Sequence, residues 1–390
     1  MAFLLQQRED EVKITEEVVK AAAGNIRSGK EIVDLLLKQR EEEVKITEEV
    51  VKAAAENTRS GKGIVDLLLK QRGSEVKITE EVVKAAAGNI VSGKKVVNLL
   101  LKQRGGEVKI TEEVVKAAAG NVGSGREVMD LLLKQRGGEV KITEEVVKAA
   151  AGNTWSGKGV MGLLFNRRGG EVKITEEVVK AAAGNTWSGK GVIDLLFKQR
   201  GGEVKITEEV VKAAAGNGGS GKEVMDLLLK HRRSEVKITE EVVKAAAGNV
   251  GSGKEVMNLL LPWRGGEVKI TEEVVKAAAG NTGSGKGVMD LLKRRGGEVK
   301  ITEEVVKAAA GNVGSGKEVM DLLLKWRGGE VKITEEVVKA AVGNVGSGKE
   351  VMDLLLKQRG GEVKVIREVV EAVAGNAWSG REAGLPILFR

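Results

Sequence analysis

The chain has 390 residues, with 64 Lys and Arg against 56 Asp and Glu for a net charge of +8, and 42% hydrophobic residues. It contains no cysteine and a single histidine, His231, which excludes disulfides, thiolate metal sites, His-based triads and multi-histidine metal sites. Only 2% of residues are aromatic and tyrosine is absent, so a core must be built from Leu, Val, Ile and Ala, which suits closely packed helices. No apolar run approaches the roughly 20 residues of a membrane span. The opening Met1-Ala-Phe-Leu-Leu-Gln-Gln-Arg8 is too short in its apolar part for a secretory signal, so an intracellular, cytoplasmic protein is expected.

Along the chain one sentence of about 32 residues recurs about twelve times. Its copies start at Glu11, Glu43, Glu75, Glu107, Glu139, Glu171, Glu203, Glu235, Glu267, Glu298, Glu330 and Glu362. Phe3-Leu-Leu-Gln-Gln-Arg8 matches the end of such a copy, so residues 1–10 read as the truncated tail of a preceding repeat. Residues 11–361 read as tandem helical hairpins. Residues 362–390 form a divergent last copy, in which Ile366-Arg367 replaces Thr-Glu and Gly384-Leu-Pro breaks the second helix. Solenoids need polar end caps. The uncapped N-terminal end points to a longer protein or to self-association through that face.

Each copy predicts two helices. In the copy from Glu107, Thr111 is placed to cap the first, with Glu112 and Glu113 in the turn that the helix dipole favours for acids. Ile110, Val114, Val115, Ala117, Ala118 and Ala119 cover more than half of its circumference. Lys116 stands four residues after Glu112, the spacing of a weak ion pair. Gly120-Asn121 reads as a left-handed stop. The second helix opens on Ser124-Gly-Arg-Glu127, a capping-box pattern, and buries Val128, Met129, Leu131, Leu132 and Leu133 before Gly137-Gly138 ends it. Phe165 and Phe197 take a Leu position and are expected in the core. Arcs this wide need partners on both sides, so the hairpins must stack. The link Glu139-Val-Lys-Ile142 is expected to be an extended connector rather than a strand. Pro262 should stop its helix early, and the copy from Glu267, one residue short at Leu291-Leu-Lys-Arg-Arg, should shift its turn.

The segment Thr-x5-Ala-Ala-x-Gly-Asn followed by Glu-Val-Met-Asp-Leu-Leu-Leu resembles the ankyrin pattern through nearly the whole chain. Thr111-Glu-Glu-Val stands where ankyrins have Thr-Pro-Leu-His, the turn Asn121-Val-Gly-Ser-Gly is longer, and the Arg136-Gly-Gly-Glu-Val link is shorter than an ankyrin hairpin. A closer resemblance is to ankyrin-like repeats of fungal proteins, often found behind NACHT-type nucleotide-binding domains in heterokaryon-incompatibility receptors. That resemblance implies recognition of non-self molecules by rapidly varying repeats.

Two other chemistries are weighed in the same residues. Gly24-Asn-Ile-Arg-Ser-Gly-Lys30 and Gly152-Asn-Thr-Trp-Ser-Gly-Lys158 carry most of a phosphate-binding loop, yet a P-loop needs a strand before it and a hydroxyl after the Lys. Here Ala21-Ala-Ala23 reads as helix, and Glu31, Gly63 or Lys95 holds the hydroxyl position. Adjacent Glu16 and Glu17 point in different directions, unsuited to paired acid–base work. Interspersed charges argue against a dedicated nucleic-acid surface.

Copies differ most at the two residues after Gly-Asn and near the end of the second helix. Exposed Trp and Arg are common binding anchors. Arg27, Arg59, Trp155, Trp187 and Trp378 at the first position, and Trp263 and Trp326 at the second, are therefore the candidate binding surface. Trp155 and Trp187 are expected to form one aromatic strip. The sequence reads as an all-α solenoid of stacked, ankyrin-like helix-turn-helix repeats, a non-enzymatic scaffold for an unknown protein or ligand. No catalytic, cofactor or metal residue is assigned. The alternative is the sensor arm of a nucleotide-dependent signalling NTPase whose catalytic domain is missing from this chain.

Overall fold

A computed structural model describes residues 13–262, 268–296 and 299–364. Among them every regular element is helical: 22 α-helices and short 3-10 turns, with no strand. Helices alternate between two kinds. First helices such as Glu112–Gly120 carry the Glu-Glu-Val-Val-Lys-Ala-Ala-Ala sequence, and second helices such as Gly125–Arg136 carry the Leu triplet. The segments between a second helix and the next first helix are turns and extended backbone, as the alternating Val and Ile suggest. Val140 and Ile142 turn inward and are buried.

The contacts separate into two units, Met1–Ala182 with Asp194–Val204, and Ala183–Ile193 with Lys205–Arg390. Within each unit the rule is the same. A first helix packs on the first helices before and after it, a second helix on the neighbouring second helices, and the two helices of one copy on each other. Val114, Val115, Ala118, Ala119, Val128, Met129 and Leu132 are fully buried in consequence. The alanines allow backbones to approach closely, and a buried Leu such as Leu132 contributes roughly 1.5–3 kcal/mol. Leu133, Phe165 and Phe197 are half-buried instead of central, because their position in the helix sits at the edge of the contact.

Three local expectations are corrected. Gly120-Asn121 is not a left-handed stop: the glycine is the last helical residue and Asn121 has φ −67° and ψ 109°. The only described residue with positive φ is Gly296, at +57°, just beyond the shortened helix Gly285–Lys293. That is where the missing residue shifts the turn, and only glycine takes that φ without strain. Ser124, before the second helix Gly125–Arg136, makes no capping bond to that helix. Lys116 pairs with Glu113 at 2.6 Å, one residue nearer than the i,i+4 partner Glu112. Pro262 acts as the sequence indicates, since its helix, Gly253–Leu260, has 8 residues where Gly125–Arg136 has 12.

Candidate interaction surface at the variable turns

The residue that organises each turn is the asparagine. In the first unit the Asn121 side chain donates to Ala87 O at 2.8 Å and Asn89 O at 2.9 Å in the preceding copy. Its carbonyl oxygen accepts from Gly123 N at 3.1 Å and Ser124 N at 2.9 Å in its own turn. Ser124 Oγ also reaches back, to Asn89 O at 2.9 Å. The second unit repeats the pattern: Asn249 donates to Ala215 O at 2.8 Å and Asn217 O at 2.9 Å. All these asparagines are buried, and each satisfies a helix end that the previous copy leaves open.

This arrangement accounts for the residues that mimic a phosphate-binding loop. The amides of Arg59 and Ser60 are taken by Asn57 Oδ1 and that of Gly61 by Asn57 O, so the donors a phosphate would require are occupied. The buried glycine that opens each second helix is needed for packing: a Cβ on Gly125 would lie 2.8 Å from Ala118 O.

Two further ties run between copies, and local sequence patterns point to neither. Thr111 Oγ donates to Glu80 at 2.7 Å, and Thr143 Oγ to Glu112 at 2.7 Å, so the threonine bridges copies. Its contact with its own helix, from Val114 N, is 3.4 Å, too long for a strong cap. At the opposite edge Arg104 grips Glu107 through two bonds of 2.6 and 2.8 Å, and the same guanidinium donates to Gly73 O at 2.8 Å in the preceding copy. The clue was available: Asn, Thr and Arg persist in copies whose surroundings change, for example where Glu56 replaces the glycine before Asn57.

The Arg and Lys partners lower carboxylate pKa values. The Arg327 guanidinium bonded to Glu330, helped by the Ile301 amide, holds that carboxyl below 4.5. Lys134 does the same to Asp130, relative to 3.8. A carboxyl whose pKa is depressed by folding adds stability above its unfolded value and loses it as pH falls through the folded one. The thermal midpoint should therefore stay level from neutrality to about pH 5 and decline below it, with added salt shrinking the decline. A midpoint that ignores acidification would remove these pairs from any role in stability. Each exposed pair contributes little.

Against this fixed framework the variable residues stand out. The large hydrophobic side chains exposed among the described residues are Ile26, Ile90, Val91, Trp155, Trp187, Val250, Val313 and Val345. Every one occupies one of the two turn positions after Gly-Asn. Arg27 and Arg59 share those positions and are exposed, at successive turns joined through the bond from Asn57 Nδ2 to Asn25 O. Trp155 is 64% exposed in the first unit and Trp187 61% in the second. Trp326 lies elsewhere, half-buried at the end of a second helix, with the Arg327 guanidinium 5.4 Å from its ring centre. Trp263 and Trp378 lie outside the described residues, as do residues 1–10 and most of 362–390.

A shallow groove lined by Lys141, Thr143, Arg168, Glu171 and Lys173 lies on the linker edge and contains no candidate residue. No group of His, Cys, Asp or Glu side chains among the described residues is arranged to hold a metal ion, and no described helix is long and apolar enough to cross a membrane. No curated protein matches the chain. One family model matches twelve times, at residues 3–32, 35–64, 67–96, 99–129, 131–161, 163–192, 195–225, 227–257, 259–289, 291–320, 322–352 and 354–383. With nearly its whole length accounted for by these tandem copies, the chain belongs to the repeat family described as a domain of unknown function (DUF7104).

Proposed function

We propose that this repeat array is a non-enzymatic recognition scaffold that reads a protein or ligand with its variable turns. One observation carries the proposal: the large hydrophobic side chains exposed among the described residues all fall at turn positions that change from copy to copy. The Asn, Ser, Thr and Arg side chains that tie one copy to the next are the same in every described copy. Exposed apolar and Arg side chains on a fixed framework are what binding surfaces are made of. The filled turn amides and the absence of cysteine add to the reading. The finer assignment is to the sensor arm of an intracellular, cytoplasmic receptor of the fungal self/non-self class. It rests on the resemblance of the repeats and on the variation of the turns.

Photo-crosslinking in cells that express the chain tests the scaffold. A benzophenone side chain at Val91 or Trp155 should give one recurrent adduct of defined mass, and the same group at Lys109 on the linker edge should not. Equal labelling from all three sites, or from none, would be evidence against recognition by the turns. A saturable change in tryptophan fluorescence with ATP and magnesium would favour a phosphate-binding array, and its absence leaves the scaffold reading standing.

A further inference from the structure

Charge is distributed unevenly along the turn edge, and the excess is concentrated at the start of the first unit. Over its first three described copies this edge exposes Arg27, Lys30, Arg59, Lys62, Lys94 and Lys95, and none of the six closes a salt bridge among the described residues. The acids at the turns themselves are Glu31 and Glu56, and Asp66 and Asp130 lie near Lys62 and Lys94, each already bonded to its own lysine, Lys70 or Lys134. Three substitutions create the excess. Gly63 and Lys95 stand where Glu31 and Glu127 stand in other copies, and Asn98 replaces the aspartate that pairs with a lysine elsewhere, as Asp66 does with Lys70 at 2.8 Å. Lys62 faces Asp66, whose charge Lys70 already engages. Among later copies Glu127, Glu223, Glu255, Glu318 and Glu350 restore the acid, while Gly159, Gly191 and Gly287 leave it out without adding a second base as Lys95 does.

Between these cations the same edge exposes Ile26, Ile90 and Val91. We propose that the turn edge of the first three copies docks an acidic polypeptide segment bearing apolar side chains. The proposal rests on the recognition reading and names the chemistry of the partner. Complementary charge would steer the segment and set its register, while the aliphatic side chains supply contacts that tolerate no water. A nucleic acid fits this stretch less well. It has no aromatic side chain on which a base could stack, and Ile and Val gain nothing against phosphates. An anionic bilayer would be met by Trp and by longer apolar side chains at the headgroup level, and none stands among these six cations.

The linker edge supplies the control. Lys77 and Lys109 are exposed and close no salt bridge, but the acids around them are present in every copy. The experiment is fluorescence anisotropy on the full chain with a fluorescein-labelled peptide of repeated Glu-Asp-Leu-Ser blocks. Polyglutamate, single-stranded DNA and phosphatidylcholine vesicles containing phosphatidylserine are measured beside it.

The peptide should bind in a salt-sensitive way. Lys94→Glu with Lys95→Glu should weaken it about tenfold or more, and Ile90→Ser with Val91→Ser should weaken it by a smaller factor. Lys77→Glu with Lys109→Glu makes the same change in net charge and should alter affinity less than about twofold. Circular dichroism melting checks that each variant is folded. No binding of the peptide, equal losses in both charge pairs, or a peptide no better than polyglutamate overturns the proposal. Preference for DNA or for vesicles overturns it in favour of those partners. Turn-edge crosslinks together with a failed peptide would leave the recognition reading standing and remove only the acidic partner.

Discussion

Asn121→Ala should cost about 3–5 kcal/mol, a large loss for one side chain without a large apolar volume. The change removes donors from Ala87 O and Asn89 O and the acceptor from Ser124 N, all shielded from water, and the acceptor from the more exposed Gly123 N. An unsatisfied buried polar group costs about 1–3 kcal/mol, and relaxation of the turn or an entering water recovers part of the total. Asn121→Asp should be worse, because it keeps the acceptor but sets a carboxylate against two carbonyls. Because cohesion in a stack passes between neighbours, the damage should appear as a separate early transition in urea and not as a uniform shift. Hydrogen exchange would place that transition in the copies on either side of Asn121. Unchanged urea unfolding would mean that the ladder is replaceable by solvent.

The second large effect is expected at a glycine in a variable turn. In the second unit a Cβ on Gly251 would lie 1.9 Å from Gly218 O, a backbone atom that cannot swing aside. Gly251→Ala should therefore destabilise by about 1–3 kcal/mol, the range for overpacking a close contact. Gly123, 2.0 Å from Ile90 O on the same construction, repeats the situation in the first unit. Trp155 sits at the equivalent position and is 64% exposed, so Trp155→Gly should alter stability little, within about 0.5 kcal/mol. Melting the two variants side by side separates the ideas. If Gly251→Ala is as harmless as Trp155→Gly, the close approach is not maintained in solution. If it is costly, variation among copies at this position reflects two ways of seating one turn on the next, and Trp or Arg cannot simply be moved onto any copy.

That contrast bears on how much of the surface was legible beforehand. Comparison of copies identified Arg27, Arg59, Trp155 and Trp187 as sharing one variable position, and their exposure agrees. The same comparison treated Trp326 as equivalent in kind. Folding separates it, because the end of a second helix lies against the linkers and Trp326 is half-covered there. Variation alone does not distinguish a residue that is exposed from one that is merely replaceable. The basic residues from Arg27 to Lys95 are scattered in the sequence and share one edge only once the helices are packed.

The sequence by itself determined the repeat, the two helices in each copy, the apolar arcs and the need to stack them, because periodicity and side-chain volume are local properties. It also determined the early stop at Pro262 and the disturbed turn of the copy from Glu267. Tertiary structure decided what Asn, Ser, Thr and Arg do. Read locally, Asn121 is a helix stop and Ser124 and Thr111 are caps, and nothing local assigns Arg104 a partner in another copy. In the stack each finds a partner about one repeat away, such as Asn89 O for Ser124, Glu80 for Thr111 and Gly73 O for Arg104. A hydrogen bond goes to whichever group is held at the right distance when water is excluded, and here that group belongs to the preceding copy.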